Sequence, residues 1–360
     1  MNRASIPALA LLALVACSPD FDPASRVEKL RVLAVQAEPP EIAPPPASGT
    51  PVAPDRAALT SFVLRADFAA VPARETTVLY LACIPAPGDP SPSPCVLFTQ
   101  LSDPAGVLAG VAGAACAPPP PGAPITFAGA EACQAPAAGS WKTCGPATTS
   151  GGVTLPAAEL SVPAGFSFDP PPAGAPNPEQ LRADRILGVQ AIVLAFAIDA
   201  TPDELTAGTG ACPAEVVARR LAQLWPSREH VLSTKRVWIR GPEAPDAPNV
   251  NPQIGDIGFS PDVPWSVRQG TVFLTPVVPS GRQAYTELDN QGAAIRSRNE
   301  EWVYSWFGTT GEMKNLHTRD GAMDEEWDVA AAPAGRAVVA AVVRDLRGGV
   351  AWAWREVALP

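Results

Sequence analysis

Forty-four prolines and 28 glycines are spread along 360 residues, and they restrict the fold more than any other feature of the chain. Each proline fixes φ near −65° and removes a backbone donor, so long uninterrupted helices are ruled out. Many short strands joined by turns and coil suit this composition. With 47% of residues apolar, the chain still has the material for a packed core and is not a disordered segment. The expected class is therefore mainly β.

The N-terminus carries a different signal. Arg3 precedes a mostly apolar, uncharged run from Ala4 to Ala16, which has the parts of an export signal. Ser5 and Pro7 interrupt it, and it falls short of the roughly 20 apolar residues needed to cross a bilayer. Its end, Leu14-Val15-Ala16-Cys17, resembles the lipobox of bacterial lipoproteins. That resemblance implies a diacylglyceryl thioether on Cys17, cleavage after Ala16 and acylation of the new N-terminus. Several acyl chains together make a lasting anchor, because each buried CH₂ contributes about 0.8 kcal/mol. Ser18, where an Asp would favour retention in the inner membrane, implies the outer membrane. On this reading residues 1–16 are a signal peptide and 17–25 a lipidated tether.

Setting Cys17 aside leaves six cysteines, Cys83, Cys95, Cys116, Cys133, Cys144 and Cys212, an even number that suits disulfides in an oxidising compartment. No Cys-x-x-Cys pair occurs, and His230 and His317 are the only histidines, so neither a zinc site nor haem attachment is expected. Pairing Cys83 with Cys95 and Cys133 with Cys144 closes two short loops and leaves Cys116 for Cys212. The formal net charge of −10 argues against nucleic acid as a partner, since that requires clustered Lys and Arg.

Strand signals recur along the chain: Leu30–Val35, Phe62–Ala66, Thr76–Leu81, Gly152–Val162, Ile186–Ile198 and Val231–Arg240. The fifth of these is apolar almost throughout, as in a strand buried on both faces. A helix is expected from Cys212-Pro213 to Trp225, with Val217, Leu221 and Leu224 on one face. These elements make a first unit, residues 26–241, with a cysteine-rich insert at about 85–152 and a helical insert at about 200–230. A Pro- and Asn-rich linker, 242–253, separates it from a second unit, 254–360. There, Thr271–Val278, Glu301–Phe307, Ala337–Val343 and Val350–Ala358 read as strands. Trp302, Tyr304 and Trp306 share one face of the second of these. The last two are joined by Arg344-Asp345-Leu346-Arg347-Gly348-Gly349, a hairpin signal.

Trp306 in a mid-unit strand and the terminal Val342-Val343-Arg344-Asp345…Gly348-Gly349 hairpin give the second unit a resemblance to bacterial immunoglobulin-like or polycystic-kidney-disease-like domains. The resemblance implies a β-sandwich with Trp306 in its core. The expected architecture is two immunoglobulin-like β-sandwiches in tandem, the first with a disulfide-rich insert and one helix. The whole chain also resembles the proline-rich surface lipoproteins of myxobacteria-like predatory bacteria, a group to which no activity is attached.

No Gly-x-Ser-x-Gly elbow or Gly-rich phosphate loop occurs, and both histidines read as surface or structural residues, so no enzyme and no cofactor are expected. Trp302, Trp352 and Trp354 could form an exposed aromatic strip for glycan. Asp320, Asp324 and Glu325 are a weak calcium candidate whose spacing fits no EF-hand. The expected role is a non-catalytic envelope lipoprotein acting in adhesion, assembly or scaffolding through contacts with envelope or extracellular proteins. A glycan-binding surface lipoprotein is the alternative, and a hydrolase with an unrecognised site a third.

Overall fold

The computed structural model describes residues 24–43, 56–66, 75–89, 95, 125–133, 144–163, 166–169, 177–208, 213–260, 270–279 and 281–359. Cys17, Cys116 and Cys212, with the signal, lipidation and third-disulfide expectations that rest on them, lie outside the described residues. The protein is mainly β with short helices.

A six-stranded sheet has the order β2 (Glu41–Ile42), β9 (His230–Ile239), β8 (Val189–Ile198), β4 (Thr76–Cys83), β5 (Ile125–Cys133) and β6 (Cys144–Pro146). Its pairs are antiparallel except β2 with β9. Against one face packs a three-stranded sheet, β1 (Arg31–Glu38), β3 (Arg56–Leu64) and β7 (Glu159–Ser161). Against the other lie the short α2 (Pro202–Thr206) and α3 (Pro213–Leu224); a further helix, α1 (Pro178–Leu187), leads into β8. In the second unit, β16 (His317–Arg319), β14 (Val303–Gly308), β18 (Gly335–Arg344) and β19 (Val350–Leu359) form one sheet. β10 (Asp256–Ser260), β11 (Thr271–Val277), β17 (Glu325–Asp328) and β15 (Glu312–Met313) form the other. A two-stranded hairpin, β12 (Ala284–Leu288) and β13 (Ala294–Asn299), stands apart from both.

These elements stack in layers, and side-chain alternation explains how. In β8, Ile192, Leu194, Phe196 and Ile198 meet Val217, Leu221 and Trp225 of the helical layer. The smaller Ala191, Val193, Ala195 and Ala197 meet Val35, Leu59 and Val63 of the three-stranded sheet. β18 repeats the device: Ala337, Val339, Ala341 and Val343 enter the core of the second unit with Trp302, Tyr304, Trp306 and Trp327. Val338, Ala340 and Val342 turn the other way, onto Leu33, Ala34, Phe62 and Leu64 of the first unit. A continuous apolar run is what a strand needs when both its faces are covered.

The cluster between β1/β3 and β18/β19 joins the two units, and polar contacts seal it. Gln36 Nε2 donates to the Val350 carbonyl at 2.7 Å, and Val350 N donates to Asn251 Oδ1 at 2.9 Å. Asn251 Nδ2 in turn donates to the Ala37 carbonyl. Residues 242–253 are thus a hydrogen-bonded joint, with Asn249 buried.

Other expectations shift for equally local reasons. Helix α3 covers a sheet face whose large side chains would otherwise meet water, so it is a layer of the fold. Helix α1 takes Ile186 and Leu187 from the strand expected over Ile186–Ile198; it starts where the Asn177 side chain accepts from the Glu179 and Gln180 amides and Pro178 occupies the first turn. Strands β5 and β6, within the expected cysteine-rich insert, belong to the six-stranded sheet. The strand expected over Gly152–Val162 shortens to Glu159–Ser161. Ser25, the last residue of the expected tether, is buried, and its carbonyl accepts from Gly308 N while Val27 N donates to the Gly308 carbonyl, both at 2.9 Å.

Both short-loop disulfides are present. Cys83 bonds Cys95 and Cys133 bonds Cys144, the latter pair directly opposite in the β5–β6 register. Among the described residues no helix is long and apolar enough to cross a membrane.

Candidate functional site

The turn between β18 and β19 is the structural centre of the junction. Asp345 is buried, its Oδ1 accepting from Arg347 N at 2.7 Å and Gly349 N at 2.8 Å, its Oδ2 from Asn249 Nδ2 at 2.7 Å. A Cβ on Gly349 would come within 2.2 Å of Asp345 Oδ2, so the carboxylate can seat itself only against glycine. Leu346 is held at φ 63°, and its side chain is 67% exposed. A left-handed leucine offered to solvent is strained and buries little in return, the kind of outlier that collects at binding sites.

This turn separates two recesses. On one side lies a cavity of about 220 Å³ lined by Leu33, Val35, Ser233, Lys235, Arg344, Leu346 and Val350. Lys235 Nζ donates to the Gly348 carbonyl. Arg344 Nη2 donates to the Leu33 carbonyl at 3.0 Å and Nη1 to Ser305 Oγ at 2.9 Å. Burial pulls the Lys235 ammonium down to about 8; Asp345 works against the fall and the neighbouring Arg344 adds to it. Burial also lowers Arg344 from its ordinary value.

On the other side runs a groove of about 390 Å³ between β9, α1 and the β12–β13 hairpin. Trp238, Tyr285, Ile186, Leu187 and Leu346 give it apolar walls, and Glu41, Arg240 and Arg347 line it with charge. Glu41 lies 3.4 Å from Arg240 and 3.8 Å from Arg347, which also pairs with Glu300 at 3.2 Å. The Arg347 guanidinium sits 4.7 Å above the Tyr285 ring. The hairpin tip leans on α1, where Gly292, at φ 84°, leaves no space for a side chain beside Ile186.

A third polar cluster lies in the first unit's core. Tyr80 OH and Ser61 N, the latter at 2.6 Å, both donate to Glu131 Oε1, and Ser61 Oγ meets the Tyr80 hydroxyl. Burial raises Glu131 to about 7, with the bonds from Tyr80 and Ser61 opposing it. Burial and the adjacent Glu131 raise Tyr80 well above its ordinary value. Glu131, Cys133 and Cys144 are the only gathered set of metal-ligand types among the described residues. The two sulfurs are joined as a disulfide and so present no thiolate to an ion.

The residues expected to bind ligand are placed elsewhere and apart. Trp302 and Trp354 are buried, and Trp352 is half-buried, stacked on Phe62 at 5.6 Å with the rings 6° from parallel. Trp302 packs in the core of the second unit, whereas Trp352 and Trp354 lie on the face of β19 that the first unit covers. Arg282 lies 3.6 Å over the Trp302 ring. The acidic residues do not converge either. Burial tends to raise Asp320, but Arg282 Nε at 2.9 Å and Nη2 at 2.7 Å, with Trp302 N, hold it below its ordinary value. Asp324 accepts from Thr275 Oγ1 at 2.6 Å, and the buried Glu325 accepts from Asn315 N at 2.6 Å. His317 Nδ1 is 3.0 Å from Ser305 Oγ, the hydroxyl to which Arg344 also donates. His230 packs against the Trp225 ring at 4.2 Å.

Compared with known protein families and with curated proteins, the chain matches no family model and no curated sequence.

Lys235 and Arg344 escape a sequence reading that looks for motifs. A subtler signal exists: β9 alternates Val231, Val237 and Ile239 toward the core, and Lys235 interrupts that same face. A lysine at a core-facing strand position asks for a partner.

Proposed function

We propose that the protein is a lipid-anchored, non-catalytic component of the cell envelope, held at the outer membrane through Cys17, that acts in adhesion, assembly or scaffolding through protein contacts. Its two units are read as immunoglobulin-like sandwiches, one on either side of residues 242–253. The paired sheets around Trp306 and around Tyr80 support that reading.

One observation supports the contact role above all. Every residue of β13 is exposed, Ile295 by 59%, and among the described residues no strand pairs with its outer edge. Such a hairpin is marginal by itself. Here Asp246 anchors Thr286 through both N and Oγ1, and Arg347 covers Tyr285, so a bare strand is held outward on a firm base. A free edge is a template for an added strand from another protein.

A photocrosslinker replacing Ile295 in intact cells should give a discrete adduct that the same group at Val153 does not; Val153 is 51% exposed and lies outside the hairpin. Equal, diffuse labelling at both positions would sink the contact reading. Cys17→Ser should release the protein from membranes, and full retention would sink the anchor.

A further inference from the structure

We propose that the recess between β9 and the β18–β19 turn is a binding site for a small carboxylate carried on a short apolar group. This inference stands independently of the anchor and of β13.

Two cations share this recess, and each spends its described hydrogen bonds on uncharged oxygens. Lys235 reaches the Gly348 carbonyl, and Arg344 reaches the Leu33 carbonyl and Ser305 Oγ. Among the described residues no carboxylate lies within ion-pair distance of either. Asp345 is the acid whose charge Lys235 feels, but its oxygens already hold Arg347 N, Gly349 N and Asn249 Nδ2. Two positive groups drawn out of water without a counter-charge are costly, and an anion between them offsets that cost.

The geometry also says which kind of anion. An ammonium beside a planar guanidinium offers donors to both oxygens of a carboxylate. Beside Ser233, Thr234 and the Gly348-Gly349 backbone, Leu33, Val35, Leu346 and Val350 give the recess aliphatic walls that suit a hydrocarbon tail better than a strongly hydrated phosphate or sulfate. At about 220 Å³ the space is below the roughly 300–1,000 Å³ of drug-sized pockets, so the tail is short. The mouth lies beside Thr234 and Leu346, both exposed. A carboxylate of this kind is found on a free branched short-chain acid and at the C-terminus of a peptide ending in an aliphatic residue.

The test uses the full chain titrated with 3-methylbutanoate, its neutral amide 3-methylbutanamide, and a short peptide ending in valine with a free or an amidated C-terminus. NMR of the lysine side-chain signals reports binding. The acid should bind and shift the Lys235 signal, and the amides should not; whichever of free acid or free-ended peptide binds more tightly names the source. Lys235→Met should weaken binding at least about tenfold, as expected for losing a charged hydrogen bond, while Lys235→Arg retains it. The parental melting temperature in both variants separates loss of the site from loss of the fold. Should Lys235→Met unfold, the amide control and Lys235→Arg still decide. Amides that bind as well as acids, a folded Lys235→Met variant with parental affinity, or no binding by either acid at about 10 mM, a level that would reveal even a millimolar complex, would overturn the proposal.

Discussion

Phe62→Ala tests whether the two units are one cooperative body. Phe62 is fully buried in the cluster between them, stacked on Trp352 and grouped with Leu64, Val338, Ala340 and Trp354. Truncating a buried phenylalanine costs about 3–5 kcal/mol, including the cavity left behind. The lost stack accounts for about 0.5–1.5 kcal/mol of that. Where the loss appears matters more than its size. Hydrogen exchange followed by mass spectrometry reads opening separately in β8, deep in the first unit, and in β14, in the second. If the units unfold together, both should exchange faster by roughly two to four orders of magnitude, the same free energy expressed in each. Acceleration confined to β8, with β14 keeping its parental protection, would refute the shared-core reasoning and leave the second unit as an independent folding body.

Three further outcomes follow from the described contacts. Glu131 is raised to about 7 in the folded protein, whereas an unperturbed glutamate titrates near 4.3. Its contribution is therefore fully present below about pH 4.3 and is lost as pH rises through about 7. Glu131→Gln should gain a few kcal/mol over the parent by pH 8 and flatten the dependence, which urea melts across pH would show; parallel curves would count against it. Replacing Cys83 and Cys95, or Cys133 and Cys144, by alanine opens loops of 12 and 11 residues, and each double change should cost about 2–3 kcal/mol in the same melts. Leu346→Asn places a residue that tolerates positive φ at a solvent-exposed left-handed position and should raise stability by about 0.5–1 kcal/mol; a lower melting temperature would mean that the leucine side chain packs in solution.

Much of the scaffold could be read from residue order. The runs at Thr76–Leu81, Ala337–Val343 and Val350–Ala358 lie within β4, β18 and β19, and the run at Ile186–Ile198 contains β8 but takes in the end of α1, because apolar β-branched runs between turn residues have few other solutions. The helix from Pro213 also appears where its apolar spacing places it. What such patterns do not carry is the identity of the opposing layer. Val338 and Val339 look alike in sequence, yet one meets Phe62 of the first unit and the other Trp306 of the second. The β12–β13 hairpin gives little signal because β13 is exposed along its whole length and β12 is only half-buried, so neither strand shows a clear apolar alternation. Asn249 looked like one more turn former in a proline-rich stretch; its burial depends on Asp345, 96 residues away. The recess is hidden for the same reason, since Lys235 and Arg344 become neighbours only when β9 meets the final hairpin.

The docking of Ser25 and Val27 at Gly308 also sets an orientation. In the β14–β18 register Gly308 lies opposite Val339, while Arg344, at the start of the final turn, lies opposite Val303. Five residues of strand separate those ends, roughly 17 Å at about 3.3 Å per residue. A chain fastened to a membrane at Cys17 would leave the sheet at its Gly308 end, so the Leu346 turn and the recesses beside it would point away from the lipid, toward whatever approaches from outside. Tension on such a leash would load the middle of the stack, where the sheet carrying Gly308 is clamped from both sides, and spare the Pro- and Asn-rich joint.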